Sequence, residues 1–134
     1  MNVSTKPKHI SDANLLLLMG RGEIAIVELH SPSPVLLHRD RTIQPELTEQ
    51  RGRRRIVGNC RWTWKITRGG KTRRIVRARL VWMYVYRAIV GDDYTIHHRD
   101  HDRNNDSIDN LERMSYGEHS SEHGYGCADP KADY

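Results

Sequence analysis

Hydrophobic and polar residues alternate in two stretches of the chain, and each stretch predicts a β-hairpin. Residues 23–29 alternate and are followed by a Ser-Pro-Ser-Pro turn and a short return strand over residues 35–38. Residues 61–66 alternate basic or polar side chains with Trp and Ile, and a Gly-Gly turn separates them from residues 72–77. Because successive side chains of a strand point to opposite faces, the second hairpin is expected to have one apolar and one cationic face.

Two other stretches carry helical signals. Ser11 or Asp12 can cap a short helix through Met19, which the following glycines stop. Apolar residues recur at helical spacing between residues 77 and 90, and Gly91 ends the pattern. The expected buried stripe of this second helix consists of Leu80, Val81, Tyr84, Val85, Ala88 and Ile89.

Two remaining features complete the predicted organisation. The segment of residues 40–52 has mixed charge and one proline, and it is interpreted as a linker. Large aromatic residues near the second hairpin and helix fit the same apolar stripes, which favours packing over base stacking. These aromatic residues are Trp62, Trp64, Trp82 and Tyr86.

The chain has 134 residues, of which 37% are hydrophobic, and this size allows one domain with a small appendage. No apolar run approaches the roughly 20 residues of a transmembrane helix, and the start lacks the pattern of a secretory signal. Cys60 and Cys127 are isolated, so neither a disulfide framework nor a four-cysteine zinc site is expected. These features predict a protein of the reducing cytoplasm that does not enter a membrane.

The net charge of +5 is distributed unevenly along the chain. Residues 51–79 contain twelve Lys or Arg and no Asp or Glu, whereas residues 1–50 and 80–134 carry −1 and −6. Surfaces that are merely solvated usually mix both signs. An acid-free block therefore predicts contact with the phosphates of a nucleic acid. The residues expected to contact DNA are Arg53, Arg54, Arg55, Arg61, Lys65, Lys71, Arg73, Arg74 and Arg77.

The segment after the second helix is rich in turn residues and histidine. Its pattern predicts a strand over residues 94–98, a polar loop over 99–109, a second strand over 110–114 and a helix from Ser115. Ser115 and Glu118 form the S-x-x-E pattern of a capping box, which defines the start of that helix. The acidic residues of the loop are interpreted as turn formers; they are Asp100, Asp102, Asp106 and Asp109.

Five of the eight histidines of the chain lie in this segment and the helix that follows it. His119 and His123 are one turn apart on the predicted helix, so both imidazoles can bind one metal ion. His97 and His98 point to opposite sides of the predicted strand, so one can join the metal while the other faces a substrate. Phosphodiester hydrolysis needs this division, because a cation stabilises charge on the phosphate and a base deprotonates the attacking water.

With its HH pair, its IDNL sequence and its H-x-x-x-H pattern, the segment resembles the HNH endonucleases of phage homing or free-standing type. The resemblance covers about residues 60–124 and implies an α+β protein with a ββα-metal motif. The predicted parts are an N-terminal hairpin or helix extension of uncertain role (1–50) and a nuclease domain (51–134). The nuclease domain comprises a basic hairpin and helix (51–91), the ββα-metal motif (94–124) and a tail (125–134).

The resemblance implies a role for each conserved position of the motif. His98 matches the general base, and Asn110 matches the structural asparagine that holds the loop. The implied metal ligands are His97, His119 and His123. His101 has no fixed counterpart and is interpreted as an exposed loop residue, with a secondary ligand or phosphate contact as the alternative. Candidates for contact with the scissile phosphate are Arg99, Arg103 and Arg113.

The resemblance therefore implies a phage-encoded, metal-dependent endonuclease that cuts double-stranded DNA to leave a 5′ phosphate and a 3′ hydroxyl. Three imidazoles favour Zn²⁺, Ni²⁺ or Co²⁺ binding, whereas the resemblance favours activity with Mg²⁺ or Mn²⁺. Nicking by a monomer and double-strand cleavage by a homodimer both fit one active site per chain. The alternative function is a non-catalytic DNA-binding module with a structural zinc clip. His98 favours the enzyme, because a clip does not require it.

Overall fold

A computed structural model of the chain describes residues 9–49 and 60–118. Residues 116–118 begin a further helix after the last strand. The elements in chain order are α1 (Asp12–Gly20), β1 (Ile24–Val27), β2 (Val35–His38), β3 (Arg41–Ile43), β4 (Glu46–Glu49), β5 (Cys60–Arg68), β6 (Lys71–Val76), α2 (Arg77–Tyr86), β7 (Tyr94–His98), a 3₁₀ turn (Ile108–Asn110) and β8 (Leu111–Ser115).

Within the described ranges, the strands form three small antiparallel sheets, ordered β1-β2-β3, β4-β5-β6 and β7-β8. Both sequence-predicted hairpins are confirmed, as the pairs β1–β2 and β5–β6. The turn of the second hairpin places Gly69 at φ 60° and Gly70 at φ 78°. A tight two-residue turn needs this left-handed backbone, which glycine adopts without strain. The combination of small sheets and few helices is compatible with the predicted α+β class.

The linker interpretation of residues 40–52 is wrong where the structure describes them, because they contain β3 and β4. The strand β3 extends the first sheet beside β2, and β4 pairs with β5 so that Leu47 lies opposite Trp62. Strands this short show no clear period in a sequence. They form because their backbone N–H and C=O groups complete the hydrogen bonding of a neighbouring strand.

Helix α2 ends earlier than the sequence predicts. Arg87 takes a left-handed conformation with φ 51°, and its N–H donates to the Met83 carbonyl at 2.7 Å, which closes the helix. The expected buried stripe is therefore wrong at its far end, where Val85 and Ile89 are exposed. The buried residues of the helix are Arg77, Ala78, Leu80, Val81 and Met83.

One hydrophobic core joins the N-terminal region to the basic hairpin and α2. It includes Leu15 of α1 and Leu36 of β2, together with Trp64 of β5 and Leu80 of α2. Residues on both sides of position 50 therefore bury each other's apolar surface, and the extension is part of the same folded unit. In the part of the chain that the structure describes, none of the helices has the length and apolarity to cross a membrane.

Candidate functional site: a buried histidine beside a polar loop

The strands β7 and β8 form an antiparallel pair that supports the candidate site. Their register places His97 opposite Glu112 and His98 opposite Leu111. Both histidines are buried, His97 at 2% exposure and His98 at 0%. Their adjacent positions on a strand predict that one of them faces a substrate, but neither side chain is open to solvent in this structure.

The predicted capping box is present where β8 passes into the following helix. The Ser115 N–H donates to Glu118 Oε1 at 2.9 Å, and the Glu118 N–H donates to Ser115 Oγ at 3.1 Å. The hydrogen bond from the Ser115 backbone lowers the pKa of Glu118 below its ordinary value, and the Ser115 side chain adds to this effect. The direction in which the chain leaves β8 is therefore set by local hydrogen bonds.

A network centred on Asn110 organises the loop between the two strands. Its Nδ2 donates to Asp100 Oδ1 at 2.8 Å and to the Asn105 carbonyl at 2.9 Å, while its Oδ1 accepts from the Asp100 N–H at 3.0 Å. Burial raises the pKa of Asp100, but hydrogen bonds from Asn105, Asp102 and Asn110 together hold it below its ordinary value. Asn110 thus ties both arms of the loop together.

His98 belongs to a buried polar cluster with Asp106 and Arg77. The His98 Nε2 lies 2.7 Å from Asp106 Oδ1, and Asp106 Oδ2 accepts from Arg77 Nε at 2.7 Å. None of the three side chains is more than 2% exposed. Charges buried this deeply are tolerated when they are paired and hydrogen-bonded, as they are here.

The turn between β1 and β2 braces this cluster from the N-terminal region. The Pro32 carbonyl accepts from the Asp106 N–H at 2.8 Å, and the Leu29 carbonyl accepts from the Ile108 N–H at 2.8 Å. Both hydrogen bonds join backbone groups, so they do not depend on which side chains these residues carry. The backbone conformation of the turn therefore supports the loop. The N-terminal extension is thus in direct contact with the candidate site.

Comparison with known families identifies the segment that contains this site. Residues 78–121 match the family model described as HNH endonuclease. This segment belongs to the HNH endonuclease family. The match spans α2, β7, the loop and β8, and it confirms the resemblance inferred from the HH pair and the IDNL sequence. No match to the chain is found among curated proteins or among solved structures.

The expected metal ligands of the HNH segment fall partly outside the described residues. His97 lies within them, whereas His119 and His123 do not. Across residues 9–49 and 60–118, no three His, Cys, Asp or Glu side chains are grouped so as to hold a metal ion. The His101 ring lies edge-on to the His97 ring, with the centroids 5.4 Å apart. Imidazole suits several divalent metals, so His97 fits a ligand role that also requires donors from elsewhere in the chain.

The cationic face predicted for the basic hairpin is present and extends further than expected. Lys65 of β5 and Arg74 of β6 are register partners, and both are exposed. Lys65 also lines an open groove between this hairpin and the first sheet. The groove residues are His38, Arg39, Arg41, Ile43, Lys65 and Thr67. Sequence reasoning missed Arg39 and Arg41, because they lie outside the acid-free block.

Two of the residues expected to contact DNA are instead engaged within the protein. Arg77 is buried against Asp106, so its assignment to DNA contact is corrected. Arg73 is half-buried and forms an ion pair with Asp12 at 2.7 Å, and it donates to the Ile10 carbonyl at 2.8 Å. The expected contacts of residues 53–55 lie outside the described residues.

The three candidates for contact with the scissile phosphate differ in exposure. Arg99, directly after β7, has a side chain that is 59% exposed. Arg103 is half-buried in the loop. Arg113 stacks on the Tyr94 ring at 3.5 Å and donates its Nε–H to the Val90 carbonyl at 2.9 Å. Arg99 and Arg113 are thus both exposed; Arg99 Nε lies 4.0 Å from Glu112 Oε1, and Arg113 is held against Tyr94 and Val90.

Sequence reasoning also missed the connection between Asp106 and Arg77. Among its polar neighbours Asp106 has the pattern of a turn former, and Arg77 has the pattern of a surface cation within a basic block. The two residues are 29 positions apart. No pattern in the nearby sequence could connect them. The pair becomes evident only in the structure, where both side chains are buried between α2 and the loop.

Proposed function

We propose that this protein is a metal-dependent DNA endonuclease of the HNH type, with a ββα-metal motif completed by the helix that begins after β8. The observation that carries this proposal is the family match over residues 78–121, which includes the HH pair and Asn110. A phage origin, which follows from the resemblance, and a cytoplasmic location, which follows from the cysteine content and the lack of a secretory pattern, belong to the same proposal.

The proposed roles within the site follow the motif. His98 is the general base that takes a proton from the attacking water, and Asn110 maintains the loop through the bonds described above. His97, His119 and His123 hold a divalent metal ion. The ion, when bound, supplies positive charge that stabilises the phosphate and the leaving oxygen during displacement.

The proposed reaction is the hydrolysis of one phosphodiester bond. A water oxygen forms the new bond to phosphorus as the bond from phosphorus to the 3′ oxygen breaks. The water loses one proton to His98, and the leaving 3′ oxygen takes up one proton from solvent, so the products are a 5′ phosphate and a 3′ hydroxyl. Arg99 is the proposed contact of the scissile phosphate, and the exposure of its side chain directly after β7 supports this role.

DNA binding is proposed for the cationic face of the basic hairpin and the groove beside it. Lys65 and Arg74 are exposed on this face, and Arg41 joins them from the first sheet. Contacts of lysine and arginine with phosphates position a duplex without reading its sequence. We therefore expect binding that depends strongly on salt.

The test is nicking of supercoiled plasmid by His98→Asn and by a matched control, His30→Asn. His30 is an exposed histidine that contacts the same loop, with its Nδ1 2.8 Å from Asp109 Oδ2. We expect His98→Asn to slow nicking by at least about 100-fold, the usual contribution of a general base, while His30→Asn cuts normally. Thermal unfolding and metal binding by both variants show whether each is folded. If folded His98→Asn nicked plasmid at the wild-type rate, His98 would not be the general base.

A metal panel in the same assay separates the enzyme from the zinc clip. We expect EDTA to abolish nicking, Mg²⁺ or Mn²⁺ to restore it, and Zn²⁺ to bind more tightly than either. A structural clip would shift the mobility of the plasmid without converting it to the nicked form. Conversion with Zn²⁺ alone would contradict the expected use of Mg²⁺ or Mn²⁺.

A further inference from the structure

Asp106 divides its two carboxylate oxygens between different partners. Oδ1 faces the His98 Nε2 and Oδ2 faces the Arg77 Nε, both at 2.7 Å. An arginine and a carboxylate that serve only as a structural ion pair commonly meet through two parallel bonds. Here Asp106 contacts Arg77 through only one oxygen, and its other oxygen contacts the imidazole of His98. The carboxylate therefore orients the histidine as well as pairing with the arginine.

The carboxylate is held from several directions. The Asp106 N–H donates to the Pro32 carbonyl at 2.8 Å, which fixes the backbone of the residue. Arg77 approaches the Pro32 and Asn104 carbonyls at 3.4 and 3.5 Å, and its guanidinium lies 5.4 Å from the centre of the Trp62 ring. Rotation of either charged group would break several contacts at once. The direction of the bond to His98 is therefore fixed.

The chemistry of the pair decides which imidazole nitrogen carries the proton. An ionised carboxylate only accepts hydrogen bonds, and a neutral imidazole has one N–H donor and one acceptor nitrogen. With Nε2 facing the carboxylate, the proton lies on Nε2 and the lone pair lies on Nδ1. The partner of one ring nitrogen commonly fixes the role of the other in this way.

We propose that Asp106, charge-balanced by Arg77, is a positioning residue that holds His98 with Nε2 protonated, so that Nδ1 accepts the proton of the attacking water. The catalytic role of Nδ1 rests on the function proposed above. The tautomer of His98 does not, because it follows from the contact with Asp106. Arg77 donates to the second carboxylate oxygen and offsets its charge, and the turn at Pro32 fixes the backbone of Asp106. Pro32 of the N-terminal extension thus supports the general base through one intermediate residue, Asp106.

The kinetic test compares Asp106→Asn with Asp109→Asn. Asp109 lies in the same loop with a side chain that is 68% exposed, so this control removes the same charge without touching His98. We expect Asp106→Asn to lower the single-turnover nicking rate at saturating DNA by about 100-fold to 10,000-fold, the range that a general base contributes. The DNA dissociation constant should stay unchanged, and Asp109→Asn should cut normally.

A double variant separates positioning from folding, because Asp106→Asn leaves the Arg77 charge unpaired. Arg77→Met combined with Asp106→Asn removes both charges from the cluster. We expect this double variant to recover much of the thermal stability lost by Asp106→Asn, but none of the lost nicking rate. Recovery of nicking together with stability would show a purely structural role and would overturn the proposal.

Long-range ¹H–¹⁵N correlation spectra of protein labelled at histidine measure the tautomer directly. The spectra are recorded with Mg²⁺ in alkaline buffer, because ordinary imidazoles are neutral at that pH. His98→Asn identifies the signals. We expect Nε2 of His98 to carry the proton in the wild type, and the proton to move toward Nδ1 in Asp106→Asn. A wild-type proton on Nδ1 would overturn the proposal. Absence of nicking by the wild type with every metal would overturn the proposed function, and the spectrum would still decide the tautomer.

Discussion

At the scale of single residues, burial rather than charge type decides what an arginine does in this protein. Arg74 and Arg77 lie in adjacent elements, and each has a carboxylate partner. The side chain of Arg74 is 55% exposed beside Glu46, whereas that of Arg77 is 2% exposed beside Asp106. Water screens an exposed ion pair, but the loss of one partner of a buried pair leaves an uncompensated charge.

This difference predicts unequal effects of the same substitution. Arg77→Met should lower the free energy of unfolding by about 3–5 kcal/mol, because the buried Asp106 carboxylate loses its cation. Arg74→Met should lower it by no more than about 1 kcal/mol. Urea denaturation of both variants measures these values. Similar losses for the two would mean that the Arg77 pair is as well hydrated as the surface pair.

At the scale of elements, Glu23 connects the first sheet to the basic hairpin. Its Oε2 accepts from Arg68 Nε at 2.6 Å and lies 3.1 Å from His38 Nε2 and 3.3 Å from Arg39 Nε. The Arg68 hydrogen bond is the main cause that lowers the pKa of Glu23 from 4.5 to about 2, against the opposing effect of burial. One carboxylate thus holds together elements that are distant in the chain.

A pH dependence follows from the lowered pKa of Glu23. A group with a depressed folded-state pKa stabilises the fold fully above its unfolded pKa, and this stabilisation disappears as the pH falls through the folded value. The part of the stability advantage of the wild type over Glu23→Gln that comes from the lowered pKa of Glu23 should be fully present above pH 4.5 and should shrink between pH 4.5 and about 2. Thermal unfolding over this range measures it, with Glu46→Gln as an exposed control. An advantage that persists undiminished at pH about 2 would contradict the assignment.

At the scale of the whole molecule, carboxylates from other parts of the chain neutralise several cations of the acid-free block. Asp12, Glu23, Glu46 and Asp106 each form an ion pair with an arginine of residues 51–79. The +12 of that block therefore overstates the positive charge that it presents to a ligand. The groove beside Lys65, however, also contains cationic side chains that belong to the first sheet.

The groove predicts a specific pattern in the salt dependence of DNA binding. Each lysine or arginine that neutralises one phosphate contributes about 1 to the slope of log Kd against log salt. Lys65→Gln and Arg41→Gln should each reduce the slope by about 1. Arg21→Gln removes an exposed charge from a different pocket and should leave the slope unchanged. Fluorescence anisotropy of a labelled duplex without metal measures all three, and equal slopes for them would remove the groove from the DNA-binding surface.

The features that the sequence could predict depend on residues close together in the chain. Alternation around Gly69 and Gly70 predicts the second hairpin, and Ser115 with Glu118 predicts a helix start, because the paired residues are no more than 13 positions apart. The HNH segment is recognisable for a related reason, since its HH pair and IDNL sequence keep a characteristic spacing. Short strands such as β3 and β4 lack such a local signal and depend on a neighbouring strand.

The sequence by itself thus determined the hairpins, the capping box, the uneven charge and the HNH segment, because local hydrogen bonding and side-chain periodicity encode them. Only the tertiary structure decided that Arg77 and Asp106 are buried partners, and that the turn at Pro32 braces the loop beside His98. The physical reason is desolvation. Whether a charged side chain contacts solvent or an opposite charge depends on which distant elements cover it, and the sequence around that residue does not contain this information.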